Sequence, residues 1–255
     1  MISVVAERQS RRRRAKPAVP FAAGVVLASG SGTRVGASLN KVYLPLAGRR
    51  LVSWSLDAFR RVPEIGVVVL VSRPQDSDLV DWVLDREVNG LRVEVVYGGD
   101  TRQASELRAL RHLASRIDDG VIDTVLLHDA ARPLISPELI SGVLHSARRH
   151  GGAIPGLPAD DIAAVDDEGE RLAQRSPRAV IRAQTPQGFR AAPLLAAYEQ
   201  AAREDFLGTD TASCMERFSE LPVHWVRGEQ QNFKITYPHD LLIAEQVLAA
   251  SEYHT

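Results

Sequence analysis

The chain has 255 residues, 45% apolar and 25% charged, the composition of a globular protein long enough to bury its own core without a metal or disulfide staple. It contains no run of about 18 apolar residues, which excludes a membrane-spanning helix, and its lone Cys214 excludes a disulfide framework; both features fit a reducing cytoplasm. The net charge of −1 divides unevenly, because residues 1–21 hold six basic residues and one acid, leaving 25 basic against 31 acidic over the remainder, a net of −6.

The basic segment carries Pro17, Pro20 and little apolar surface, so residues 1–21 read as a disordered tail. No apolar stretch follows its arginines, so it is not a secretory signal. A solvated extension is the simpler reading, and nucleic acid is not expected as a partner. Residues 22–255 read as one domain. Residues 22–28 form a short β-branched run ending in glycines, a buried strand. A helical pattern over 52–61 precedes a strong strand at 66–72, a helix at 76–87 and a strand at 91–96. Gly98 and Gly99 break the chain before a helix from about 101 to 115. A buried strand at 123–128 leads to a helix over 136–150 with Ser136 as N-cap and Pro137 at its first position. Strands alternating with helices predict a doubly wound α/β fold with a mostly parallel sheet. From about 152 to 185 the pattern changes to short extended pieces (152–155, 161–165, 179–182) among prolines 155, 158, 177 and 186. This predicts a hairpin leaving the sheet. Helices at 193–204 and 209–218, strands at 223–227 and 232–236, and a helix over 238–252 complete the chain.

Only three of the 31 basic residues are lysines: Lys16, Lys41 and Lys234. A chain that uses arginine for generic positive charge keeps a lysine where a compact point charge fits and a planar fork does not. Lys41 and Lys234 are therefore candidates before any motif is considered. Directly after the first strand stand Ala28-Ser29-Gly30-Ser31-Gly32-Thr33-Arg34. Glycines here let backbone N–H groups approach an anion. The loop is neither a P-loop, which needs Gly-Lys-Ser/Thr, nor a dinucleotide fingerprint, since Gly30, Gly32 and Gly36 are spaced one residue too widely. A glycine turn flanked by Arg34 and Lys41 suits a triphosphate attacked at its α-phosphorus.

His128-Asp129-Ala130-Ala131-Arg132-Pro133 ends an apolar strand, where open α/β sheets gather ligands. Asp129 there can hold Mg²⁺ together with substrate phosphates, and Arg132 can meet a phosphate. Mutual pairing of Asp129 and Arg132 is the plainer alternative. Gly98-Gly99-Asp100-Thr101 with Ser105 combines close backbone approach with small polar groups suited to a base edge; strand exit and helix capping explain it equally well. Asn232-Phe233-Lys234-Ile235-Thr236 carries the second candidate lysine. The histidines lack metal spacing.

Taken in order, LASGSGTR, NKVYLPLAGR, GGDTRQAS, HDAARP, AQTPQGF, GTDTAS and NFKIT resemble the 2-C-methyl-D-erythritol 4-phosphate cytidylyltransferase family of the non-mevalonate isoprenoid pathway, over about residues 22–250. The related ribitol-5-phosphate cytidylyltransferases share the pattern. The resemblance implies a Rossmann-like nucleotidyltransferase domain whose protruding β-arm, about residues 152–185 here, clasps a second subunit in a homodimer. It implies transfer of a cytidylyl group from CTP to a polyol phosphate with Mg²⁺. Arg34 and Lys41 match the catalytic cations. Residues 28–33, Gly99, Asp100, Ser105 and Lys234 match nucleotide-binding positions, and Asp129 matches the metal-side carboxylate. Arg132, Thr185 and Lys234 match the acceptor side. The departures lie mostly in the arm: the family's P-V-x-D-T-[IL]-K reads Pro158-Ala159-Asp160-Asp161-Ile162-Ala163-Ala164, and Pro177 stands where the family has an arginine. Arg178, or else Arg175, is the expected replacement. 2-C-methyl-D-erythritol 4-phosphate is the expected acceptor. Ribitol 5-phosphate is the alternative, and a non-catalytic nucleotide-binding role is a more distant one.

Overall fold

The structure is a computed structural model that describes residues 19–30, 40–88, 92–159, 161–163, 169, 171–172 and 179–252. The first strand, β1 (Phe21–Leu27), lies inside an eight-stranded sheet. It pairs in parallel with β4 (Ile65–Ser72) on one side and β6 (Ile122–Asp129) on the other, and β4 pairs in parallel with β5 (Val93–Tyr97). Beyond β6 a single strand of the main path, β9 (Gln187–Arg190), is reversed. It runs antiparallel to β6 and to the start of β7 (Gly152–Pro158), and β10 (Val223–Arg227) closes that edge in parallel with β7. A separate two-stranded hairpin joins β2 (Pro45–Leu46) to β3 (Arg49–Arg50).

Strands buried on both faces need apolar residues of both parities, and the central three have them. Ala22, Val26, Val68, Leu70 and Leu126 pack one face beneath α1 (Leu51–Arg60), α2 (Ser77–Arg86) and α4 (Pro137–His150). Ala23, Val25, Val69, Val125 and Leu127 pack the other beneath α3 (Arg102–Asp118), α5 (Ala191–Arg203) and α6 (Thr211–Phe218). A smaller cluster, including Leu46, Leu51, Leu134, Ile235 and Ala244, seats α7 (Pro238–Glu252). Helix starts are fixed locally. Ser136 accepts from the Leu139 N–H at 3.0 Å with Pro137 next in line, a cap generally worth about 1 kcal/mol. Asp210 and Ser213 form a reciprocal capping box at α6.

The α/β layout agrees with the sequence reading, and the differences have local causes. Residues 232–236 form no strand, because their backbone groups are taken elsewhere. The Ile235 N–H donates to the Ala131 carbonyl at 2.8 Å, the Asn232 and Ile235 carbonyls accept from Arg132 and Lys41, and the Thr236 N–H is held by Asp240. The segment after residue 151 does not leave the sheet at once. Gly152–Gly156 pairs with β10 inside the sheet, and only Gly156–Pro158, paired antiparallel with β8 (Ile181–Ala183), begins an arm. Of the extended piece expected at 161–165, residues 161–163 form no strand and 164–165 lie outside the described residues. The basic tail, described only from Val19, also lies largely outside them.

Candidate active site

The parallel strands β1, β4, β5 and β6 end at one edge of the sheet, and a cleft of about 540 Å³ opens there. This is where an open α/β sheet places its ligand. Its walls come from Ser29 and Gly30 after β1, Arg73 after β4, residues 99–102 after β5, and Asp129 at the end of β6. Lys41 and Lys234 both line it, so the two lysines among the described residues meet in one cleft.

The Gly98-Gly99 turn is dictated by space. A Cβ on Gly98 would lie 2.6 Å from the Ser29 Cβ, and one on Gly99 would lie 2.6 Å from the Ala104 Cβ. Ser105, 1% exposed on the buried face of α3, knots this corner. Its hydroxyl donates to the Thr101 carbonyl at 2.9 Å and accepts from Ser29 Oγ at 2.9 Å and the Gly99 N–H at 3.1 Å. Ser105 therefore fixes the turn that faces the cleft, while Asp100 is exposed at its rim. On the opposite wall, buried Asn40 caps the 3-10 turn Lys41–Tyr43 and donates to the Ala28 carbonyl at 2.7 Å and to Asp76 at 3.0 Å. Lys41 Nζ donates to the Ile235 carbonyl at 2.8 Å.

Charge in the cleft is organised around Asp129. Lys234 Nζ stands 2.7 Å from one carboxylate oxygen and Arg102 NH1 2.8 Å from the other. Burial pushes the Asp129 carboxyl up, but Arg102 and Lys234 outweigh it and hold it well below the usual carboxylate range. Arg102 also donates through Nε to Glu106 at 3.0 Å. Burial acts to lower its pKa, yet Asp129 and Glu106 together raise it.

Behind Asp129 a buried relay fixes the chain. The Asp129 N–H donates to Thr185 Oγ1 at 3.1 Å, Thr185 meets His128 Nδ1 at 3.1 Å, and His128 Nε2 meets the Arg132 carbonyl at 3.1 Å. A carbonyl only accepts, so Nε2 carries the proton and Nδ1 accepts from Thr185. Complete burial pulls the His128 pKa down to about 4, so the ring is neutral near pH 7. Arg132 turns away from the cleft and donates to the Asn232 carbonyl at 2.8 Å and the Ala183 carbonyl at 3.4 Å. It ties the base of the arm to the segment that carries Lys234.

A sequence profile described as 2-C-methyl-D-erythritol 4-phosphate cytidylyltransferase matches residues 22–250. Curated proteins of that name are similar over most of their length: one from Synechococcus is 35% identical over 88% of this chain and 95% of its own. One from Cupriavidus pinatubonensis is 38% identical over 86% and 91%. Among solved structures, 4-diphosphocytidyl-2C-methyl-D-erythritol synthase from Anaerococcus prevotii superposes with a TM-score of 0.78 at 30% identity, covering 90% of this chain and 96% of that one. The chain belongs to the 2-C-methyl-D-erythritol 4-phosphate cytidylyltransferase family.

Of the positions that match motifs of the 2-C-methyl-D-erythritol 4-phosphate cytidylyltransferases, Ser29, Gly30, Lys41, Gly99, Asp100, Ser105, Asp129 and Lys234 all line the cleft. Ala28 lies just beneath it, buried, its carbonyl held by Asn40. Thr185, 4% exposed, and Arg132 stand behind the cleft wall and brace it. Ser31, Gly32, Thr33, Arg34, Arg175 and Arg178 lie outside the described residues. Sequence reasoning gave no role to Arg102, Asn40 or Arg73. Arg102 is hidden by the abundance of arginine, but Glu106 four residues on falls in the apolar stripe of α3, and a buried acid at that spacing needs a cation. Among the described residues no three acidic, histidine or cysteine side chains gather as a metal cage. The ionised Asp129 carboxylate facing the cleft fits Mg²⁺ that arrives with nucleotide phosphates.

Proposed function

We propose that this chain transfers the cytidylyl group of CTP to 2-C-methyl-D-erythritol 4-phosphate, a step of non-mevalonate isoprenoid synthesis. The acceptor's phosphate oxygen forms a bond to the α-phosphorus as the bond to the β-phosphate oxygen breaks, and pyrophosphate leaves. One observation carries this reading: Lys41 and Lys234, the two lysines among the described residues, line one cleft with an ionised Asp129 at the carboxyl edge of the sheet. The reaction brings two anions together, so positive groups fixed in advance lower its barrier.

In this reading Lys41 and Arg34 neutralise charge growing at the α-phosphorus, and residues 28–33 offer backbone N–H groups to the triphosphate. Gly99 and Asp100 read the cytosine edge on a turn that Ser105 holds. Asp129 would hold Mg²⁺, which when bound offsets phosphate charge. Lys234 shares the acceptor phosphate, while Arg132 and Thr185 position the wall from which it reaches. Arg178 of a second copy is proposed to complete the acceptor site.

A homodimer through the arm is part of the proposal. Ile162 and Val180 are 46% and 47% exposed and Leu172 is 77% exposed, apolar surface that a lone two-stranded arm cannot bury. Among the described residues no helix is long and apolar enough to cross a membrane, and a cytoplasmic site of action is proposed, where CTP is at hand. The test is an acceptor panel with CTP and Mg²⁺. Pyrophosphate release is expected with 2-C-methyl-D-erythritol 4-phosphate. Release with ribitol 5-phosphate instead would reassign the acceptor, and binding of CTP without release under any acceptor would leave a nucleotide-binding protein.

A further inference from the structure

Glu106 is a buried acid without a part in the mechanism above. It is 1% exposed among Leu107, Ala109, Leu110 and Leu113 on α3, where an apolar residue would fill the stripe. Three donors converge on it: Tyr198 Oη on one oxygen at 2.6 Å, and Thr211 Oγ1 at 3.1 Å and Arg102 Nε at 3.0 Å on the other. Arg102 continues the line through NH1 to Asp129, and Lys234 closes it from the far side. Two buried acids and two bases thus alternate, Glu106, Arg102, Asp129 and Lys234, spanning α3, β6 and the segment before α7. The Arg102 NH2 group is buried with no hydrogen-bond acceptor. The guanidinium is therefore oriented by its two carboxylates and by nothing at its third nitrogen.

We infer that Glu106 is a positioning residue: it holds Arg102 in place and takes up part of its charge, so that the Asp129 carboxylate stays available to Mg²⁺ bound to the nucleotide. This rests on the reading of the cleft given above. A guanidinium between two carboxylates divides its attraction between them. With Glu106 neutral, the whole of that attraction falls on Asp129, and the metal must compete with it. The local charge also rises by one, which favours a bare triphosphate. A partner behind a metal ligand typically changes metal affinity by about 10–100-fold.

Glu106→Gln tests this, since it keeps the shape and an acceptor for Arg102 while removing the charge. CTP binding is measured by calorimetry on the full chain, once with Mg²⁺ and once with EDTA, alongside thermal melting. The expected result is a split between the two conditions: CTP in EDTA binds as tightly as to the wild type or more tightly, while the gain in affinity that Mg²⁺ confers falls about ten-fold. Equal weakening in both conditions, or an unchanged Mg²⁺ gain, overturns the inference. If Glu106→Gln does not melt cooperatively, Tyr198→Phe removes one donor and is expected to reduce the Mg²⁺ gain by less with CTP in EDTA unweakened; equal loss in both conditions again overturns it. Wild-type protein that binds no CTP at all would refute the parent reading instead.

Discussion

At the scale of single residues, the rarity of lysine was the most informative signal in the chain. Lys41 and Lys234 were singled out by composition, and both line the cleft. Lys41→Ala is expected to lower turnover by about 100-fold or more, as loss of one preorganised donor typically costs roughly 3 kcal/mol of barrier. Lys41→Arg is expected to be poor as well, because the tie to the Ile235 carbonyl suits a point charge and not a fork. Steady-state kinetics check both, and a fully active Lys41→Arg enzyme would show that the lysine count misled. Arg102 went unnoticed for the converse reason, being one arginine among many. His128 offers a pH test. Its folded pKa lies near 4 against an ordinary 6.5, so between these values the unfolded chain binds the extra proton. The stability of the neutral imidazole is complete above about 6.5 and lost as the pH falls toward 4. For a buried group the loss is on the order of 3 kcal/mol. His128→Gln should remove that slope in denaturant titrations at several pH values, and an unchanged slope would assign it to other groups.

At the scale of elements, the strands buried on both faces were legible because each carries an unbroken apolar run, Val67–Val71 in β4 and Val125–Leu127 in β6, and Ser136-Pro137 announced α4. The short pieces were not. β9 has four residues, one of them Gly188, and the β2–β3 hairpin has two residues in each strand, too few for any period to show. Residues 232–236 misled because their pattern suits a strand while side chains of Arg132, Lys41 and Asp240 hold their backbone. The Gly98-Gly99 turn was recognised, but not the reason for it, which is contact with Ser29 and Ala104. Gly98→Ala places a Cβ 2.6 Å from the Ser29 Cβ. Such overpacking is expected to destabilise the fold by about 1–3 kcal/mol. Equilibrium denaturation gives that figure, and calorimetry should show weaker CTP binding in parallel. Unchanged CTP affinity would separate the turn from nucleotide recognition.

At the scale of the whole molecule, the direction of the strands explains why the candidate residues meet. Asp129, Gly99 and Ser29 are far apart in sequence, and only a parallel sheet brings their strand ends to one edge. The arm was legible as an interruption of that pattern, though its attachment inside the sheet through β10 was not. In the proposed dimer a second copy covers the exposed Ile162, Leu172 and Val180, so light scattering is expected to report a dimer; a monomer at working concentrations would detach the arm from assembly. The central claim is that this cleft performs cytidylyl transfer, and the most direct measurement is pyrophosphate release with 2-C-methyl-D-erythritol 4-phosphate and Mg²⁺ under CTP, ATP and GTP in turn. The account predicts rapid release with CTP and little with the purine nucleotides. Equal release with ATP, or none with CTP, would contradict it.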